Sequence, residues 1–142
     1  MAGRTRRVTH ARRTEKTIVV LLLDTHVLLW WEEGSQRLGP AARTAIRAAD
    51  VVYVSSASAW EAEIKRAQGR LVFAGDFNDM IRANRFSEMA VSVRHATALR
   101  ALDMHHRDPF DRMLIAQASV EGCTLVTADR KLAVYGIPLI QA

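Results

Sequence analysis

The stretch Ile18-Val19-Val20-Leu21-Leu22-Leu23 is six aliphatic residues in a row, closed at once by Asp24-Thr25-His26. With no polar face, it reads as a strand buried on both sides, which makes it the central strand of a parallel sheet rather than an edge. This run and the later Leu28 to Trp31 are both far short of a bilayer span, so no transmembrane helix is expected. Residues 1–23 imitate a signal peptide, with an Arg-rich start before an apolar stretch, but that stretch leads into charge without a small-residue cleavage site. Secretion is not expected.

Outward from that strand, helices and strands alternate from Thr17 without a long linker or internal repeat. A short helix should run through Trp31 and stop at Gly34, and Pro40 should open another over about 41–48. Val51 to Val54 is the second strand, and Ser56 can cap a helix reaching about Gln68. A helix over 77–84, a third strand over 89–93 and a helix over 95–102 follow. Asp108 as cap with Pro109 in the first turn starts a helix that ends at Gly122. Thr124 to Thr127 and Pro138 to Ile140 complete five strands. The fold class is therefore α/β, a doubly wound α/β/α sandwich on a mainly parallel sheet.

The length of 142 residues, about half of them apolar, suits one hydrophobic core, so residues 17–142 are read as one domain. The formal charge of +5 is not spread over it. Residues 1–16 carry Arg4, Arg6, Arg7, Arg12, Arg13 and Lys16 against Glu15 alone, while the other 126 residues balance 14 basic against 14 acidic. The excess belongs to a basic tail, expected to be disordered, and is weak evidence about the domain. The tail reads either as neutral, with translation beginning later, or as an arm attracted to RNA. A single cysteine, Cys123, cannot form an internal disulfide and reads as an inert thiol in a reducing, cytoplasmic setting.

In open parallel sheets, ligand sites form outside the carboxyl ends of the strands. Asp24 directly follows the first strand and Asp129 follows the fourth by two residues, so neighbouring strands would bring both carboxylates to one crevice. On the helix after Ser56, the inward stripe reads as Ala57, Trp60, Ile64 and Gln68. Glu61 then lies about 60° from its centre and Glu63 about 100° away, toward solvent. On the helix after Pro109, Asp111 falls beside Leu114, Ile115 and Ala118, and Arg112 turns outward. Structural alternatives stand beside each reading. Asp24 suits an N-cap, Asp111 a helix amino end, Asp129 a turn, and Glu61 an ion pair with Lys65. Four converging carboxylates repel one another unless a cation joins them, and an oxygen-only set suits Mg²⁺ or Mn²⁺ rather than zinc. His105 and His106 lack the further ligands of a zinc site and read as surface or substrate-contacting residues. No Gly-rich phosphate loop or nucleophile elbow is present.

The stretches Leu22 to Trp30, Ser58 to Lys65, Asp108-Pro109-Phe110-Asp111-Arg112 through Ala118, and Leu125-Val126-Thr127-Ala128-Asp129 carry a resemblance in their order and spacing. Across about 18–141 the chain resembles PIN-domain proteins, and more narrowly VapC-type toxins of bacterial toxin–antitoxin pairs. Ala62 is smaller than the apolar residue the family often has after the Trp-Glu pair. The resemblance implies a PIN-like sandwich and a Mg²⁺- or Mn²⁺-dependent endoribonuclease. It implies inhibition by a VapB-like antitoxin, a homodimer, and RNA as substrate. It assigns catalysis and metal binding to Asp24, Glu61, Asp111 and Asp129, supported by Thr25 and by Thr127, which would position Asp129. Arg107, Arg112 and Arg130 are candidate phosphate contacts, against an ordinary solvated role for each. Two other readings keep the sheet: an RNA- or partner-binding module without nuclease activity, and a phosphotransfer protein using Asp24 as nucleophile. Against the latter stands His26, where one phosphatase pattern has a second Asp.

Overall fold

The computed structural model describes residues 17–142, and the basic tail over 1–16 lies outside them. The chain order is β1 (Val20–Leu23), α1 (Thr25–Glu33), α2 (Pro40–Ala48), β2 (Val51–Ser55), α3 (Ser56–Ala67), α4 (Phe77–Ala83), β3 (Ser87–Met89) and α5 (Val93–Ala98). A 3-10 turn (Leu99–Ala101), α6 (Pro109–Glu121), β4 (Thr124–Thr127), a second 3-10 turn (Arg130–Tyr135) and β5 (Leu139–Gln141) complete it. The five strands form one sheet in the order β3-β2-β1-β4-β5, and every pairing is parallel. The aliphatic run is the middle strand, as its sequence required.

Alternation along β1 divides the core between the two faces of the sheet. Leu21 and Leu23 point to one side, with Val27, Leu28, Ile46, Ala62 and Phe77, while Leu22 points to the other, with Leu114, Ile115, Leu125 and Leu132. All three leucines are fully buried, so truncating any one to Ala should cost about 2–5 kcal/mol. Cys123 packs in the second cluster, and burial pushes its thiol pKa up, in keeping with an unreactive side chain. Among the described residues, no helix is long and apolar enough to cross a membrane.

The strand order places a topological switch at β1 and β4: the chain winds outward through β2 and β3, then returns to the other side of β1. A crevice opens where connections leave neighbouring strands in opposite directions. The register sets Leu23 beside Val126, and the Asp24 N–H donates to the Val126 carbonyl at 3.0 Å. The segments after β1 and β4 are thereby held side by side.

Four boundaries differ from the sequence reading. Ile18 and Val19 are exposed, because pairing with β2 begins only at Val20. The third strand ends at Met89 instead of running to Val93. Ser92 closes a capping box, its hydroxyl accepting from the His95 N–H and its own N–H donating to His95 Nδ1, so the chain has turned into α5 where Met89, Val91 and Val93 imitate strand alternation. That helix is correspondingly earlier and shorter than expected. The cap of α3 is Ser55 rather than Ser56, one residue earlier.

Candidate active site

Asp24, Thr25, His26, Glu61, Lys65, Asp108, Asp111, Ala128 and Asp129 line one cleft of about 370 Å³ at the carboxyl edge of β1 and β4. The four acids singled out in the sequence all face it, and each is held differently.

Asp24 is buried and caps α1: the Val27 N–H donates to Oδ1 at 2.8 Å. The Ala128 N–H donates to Oδ2 at 3.0 Å, so a single carboxylate ties the start of α1 to the loop after β4. Burial raises its pKa, and the hydrogen bonds from Thr127, Val27 and Ala128 act against that rise. The capping role and the cleft position belong to the same side chain.

Glu61 is 5% exposed. The Thr25 hydroxyl donates to Oε1 at 2.7 Å and Lys65 Nζ donates to Oε2 at 2.6 Å, which realises the ion pair weighed above. The stripe used to orient it needs correction. Trp60 is 64% exposed and Gln68 is exposed, whereas Ala57, Ser58, Glu61 and Ala62 are buried. Small residues form the inward face of α3, and the large indole lies at the surface, edge-on to Phe110 of α6 with 5.3 Å between ring centroids. Ala62 is fully buried in the first core cluster, so the small side chain suits this packing. Glu63 pairs with Arg66 toward solvent, as expected.

Asp111 is half-buried on the first turn of α6, behind the cap that Asp108 forms by accepting from the Phe110 and Asp111 N–H groups. Its carboxyl is pushed up to about 6, first by burial and then by the charges of Asp108 and Glu61, while a hydrogen bond to His106 works the other way. His106 Nε2 stands 2.8 Å from Asp111 Oδ2 and 3.5 Å from Asp129 Oδ2. Asp129 follows β4, accepts from the Lys131 N–H, and donates its own N–H to Thr127 Oγ1 at 3.0 Å. Thr127 therefore contacts the Asp129 backbone as the sequence suggested.

The candidate arginines fare unequally. Arg112 does not turn outward: it is 9% exposed, and its guanidinium donates to the Asp103, Leu99 and Leu102 carbonyls and to the Tyr135 hydroxyl. It holds the loop before α6, which removes it as a phosphate contact. Arg107 and Arg130 are exposed and are not among the cleft-lining residues.

His106, which the sequence presents as a surface or substrate-contacting residue, instead sits with the acids. Its Nε2 and carboxylate oxygens of Asp111 and Asp129 lie within 4.8 Å of one another, close enough to share one ion. The loop is fixed from the far end of the chain, by the Tyr135 hydroxyl accepting from the His106 N–H at 3.0 Å, and no local pattern announces that contact. The donor set is mostly carboxylate, with one imidazole at its rim. Such a set fits a hard or borderline divalent cation.

Residues 21–138 match the model of the PIN domain family. Over 125 residues the chain is 35% identical to ribonuclease VapC22 of Mycobacterium tuberculosis, covering 85% of this chain and 95% of that protein. Its fold is similar to a chain in the crystal structure of VapBC2 from Rickettsia felis bound to a DNA fragment from their promoter. There the TM-score is 0.63 at 13% identity, over 87% of this chain and 98% of that one. A toxin–antitoxin complex from Klebsiella pneumoniae gives a TM-score of 0.60 at 19% identity, over 85% and 96%. The two structures speak to fold; the family match and the sequence relative carry the kinship. With the parallel sheet, the switch point at β1 and β4 and the acid-lined cleft, they establish that the chain belongs to the PIN-domain family, among its VapC proteins.

Proposed function

We propose that the chain is a Mg²⁺- or Mn²⁺-dependent ribonuclease acting as the toxin of a toxin–antitoxin pair. The observation that carries this reading is the gathering of Asp24, Glu61, Asp111 and Asp129 in one cleft at the sheet's switch point. It agrees with the ribonuclease named among the relatives. Asp24, Glu61, Asp111 and Asp129 would hold the cation, with Thr25 orienting Glu61 and Thr127 steadying Asp129. Bound there, a divalent cation supplies Lewis acidity and a water of lowered pKa.

The residues themselves do the positioning. Thr25 holds one oxygen of Glu61 and backbone N–H groups hold both oxygens of Asp24, so both carboxylates stand at the cleft before a cation arrives. In the metal-free chain Asp111 has a carboxyl near 6, so it is mostly ionised at neutral pH and ready to ligate a cation. Attack by water leaves the RNA 2′-hydroxyl without a required role.

A VapB-like antitoxin is the proposed partner, supported by the kind of complex in which the fold's relatives were solved. A homodimer is proposed as well. An apolar groove of Trp60, Phe110, Met113, Val91 and Leu99 adjoins the Glu61 and Asp111 helices, and Trp60 is largely exposed in the isolated chain. Cytoplasmic action on RNA belongs to the same reading.

The test is RNA cleavage by purified protein. Cleavage should require Mg²⁺ or Mn²⁺, stop with a chelator, and fall by about 10²-fold or more in Asp24→Asn, beyond the range typical of residues that merely orient a ligand. Equal cleavage by that variant, or cleavage without metal, removes the reading. Tight RNA binding with no metal binding and no cleavage supports the binding-module alternative.

A further inference from the structure

Among the described residues, five carboxylates line the cleft, those of Asp24, Glu61, Asp108, Asp111 and Asp129, and Lys65 is the one lysine or arginine. An RNA phosphate approaching that wall meets net repulsion even after a divalent cation is counted. A cation belonging to the protein is needed on the substrate side, and the described arginines do not supply it. Arg112 is committed to loop carbonyls, and Arg107 and Arg130 are not part of the lining.

Two ion pairs on α3 show what is unusual about Lys65. Arg66 and Glu63 pair at 2.7 Å on the outer face, with side chains 35% and 52% exposed. Lys65 and Glu61 pair at 2.6 Å on the inner face, with side chains 23% and 7% exposed. The outer pair lies on the solvent side, where Arg66 also donates to the Gly75 carbonyl and stacks on Phe73. In the inner pair, one Glu61 oxygen accepts from Thr25 and the other from Lys65, so a divalent cation drawn to Glu61 would compete with the ammonium already there. Both cannot hold that oxygen on equal terms.

We propose that Lys65 is a counter-ion that changes partner. In the metal-free chain it neutralises the buried Glu61. When Glu61 turns to a divalent cation, the flexible four-carbon stem and three donors of Lys65 become available to a non-bridging oxygen of the RNA phosphate entering the cleft. The residue thereby links metal loading to substrate affinity, and no covalent step is involved. The inference rests on the ribonuclease reading above and assigns to it a substrate-binding residue.

The test compares Lys65→Gln, Lys65→Arg and the unaltered chain. Calorimetry with Mn²⁺ alone should show Lys65→Gln binding several-fold more tightly, because the competing ammonium is gone. At saturating Mn²⁺ the same variant should cleave RNA with a kcat/KM lowered about tenfold, mostly through KM. Its log–log salt slope for RNA binding should shrink by about 0.7, one phosphate contact on a single strand. Lys65→Arg should recover most of the cleavage. If Lys65→Gln is too unstable without metal, its unfolding temperature with and without Mn²⁺ decides: a larger Mn²⁺-induced rise than in the unaltered chain supports the exchange, and an equal or smaller rise overturns it. Unchanged or weaker Mn²⁺ affinity, or unchanged KM and salt slope at saturating Mn²⁺, also overturns it. An unaltered chain that neither binds Mn²⁺ nor cleaves RNA removes the ribonuclease reading itself. An unaltered chain that cleaves while Lys65→Gln behaves identically removes only the role of Lys65.

Discussion

The two walls of the cleft hold their acids in different ways. On the β1 wall, Asp24 and Glu61 are buried and internally satisfied, by two backbone N–H groups in one case and by Thr25 and Lys65 in the other. On the α6 wall, Asp111 and Asp129 are half-buried, face His106, and leave Asp111 with a carboxyl near 6. One wall is scaffold and ligand together, while on the other Asp111 carries a carboxyl raised chiefly by burial. Substitutions on the first wall should therefore strike stability as well as activity. Those on the second should strike metal binding and its pH dependence.

The largest stability effect is expected at Asp24→Asn. Both native oxygens accept from backbone N–H groups, so the amide must turn its NH₂ toward either the Val27 or the Ala128 donor. One buried donor then goes unpaired, at a cost of about 1–3 kcal/mol in urea unfolding. A variant as stable as the parent would show that Asp24 does not tie the β1 wall to the β4 loop.

The second wall should show itself in pH. The folded Asp111 carboxyl lies above its unfolded value, so in the metal-free chain its contribution to stability is present below about 4 and lost as pH rises through about 6. Metal binding runs the other way, because the ion needs the carboxylate. Affinity for Mn²⁺ should fall as pH drops through about 6, and Asp111→Asn should abolish that limb. A limb that persists in the variant would assign it to another group. His106 faces the same oxygen, and its removal should move the limb to higher pH, since its hydrogen bond lowers the Asp111 value.

The smallest effect belongs outside both walls. Glu63→Gln breaks only the exposed pair with Arg66 and should cost about 0.3–0.5 kcal/mol, with RNA cleavage unchanged. A change in cleavage comparable to that at Glu61 would erase the distinction between the two faces of α3.

How much of this was legible follows the same division. The β1 wall announces itself in sequence, because an all-aliphatic run followed by Asp marks a central strand ending at a crevice, and β4, a shorter run flanked by Thr124 and Thr127 with Asp129 two residues on, gives a weaker form of the same signal. The fold class, the strand order's consequence for Asp24 and Asp129, and the caps at Asp108 and Gly122 were all readable from local rules. Glu61 was placed correctly with a faulty guide: Trp60 looked like core because it is large and apolar, yet the small Ser58 and Ala62 face inward. Where an apolar residue packs on another helix instead of the core, as Trp60 does on Phe110, helical periodicity points the wrong way. Arg112 and His106 were misread for a different reason. Their partners come from the loop before α6 and from Tyr135, contacts that depend on how distant segments pack. Ser92 and His95 show the remaining kind of error, in which a capping box overrides an alternating apolar pattern.

On the reading proposed above, acids of both walls would hold one divalent cation. Calorimetric titration with Mn²⁺ near neutral pH, on the parent chain and on Asp24→Asn, Glu61→Gln, Asp111→Asn and Asp129→Asn, tests it most directly. One ion per chain is expected in the parent, with weakened binding in variants of both walls, each checked to be folded at the titration temperature. Parent-like binding by every folded variant of either wall would contradict it.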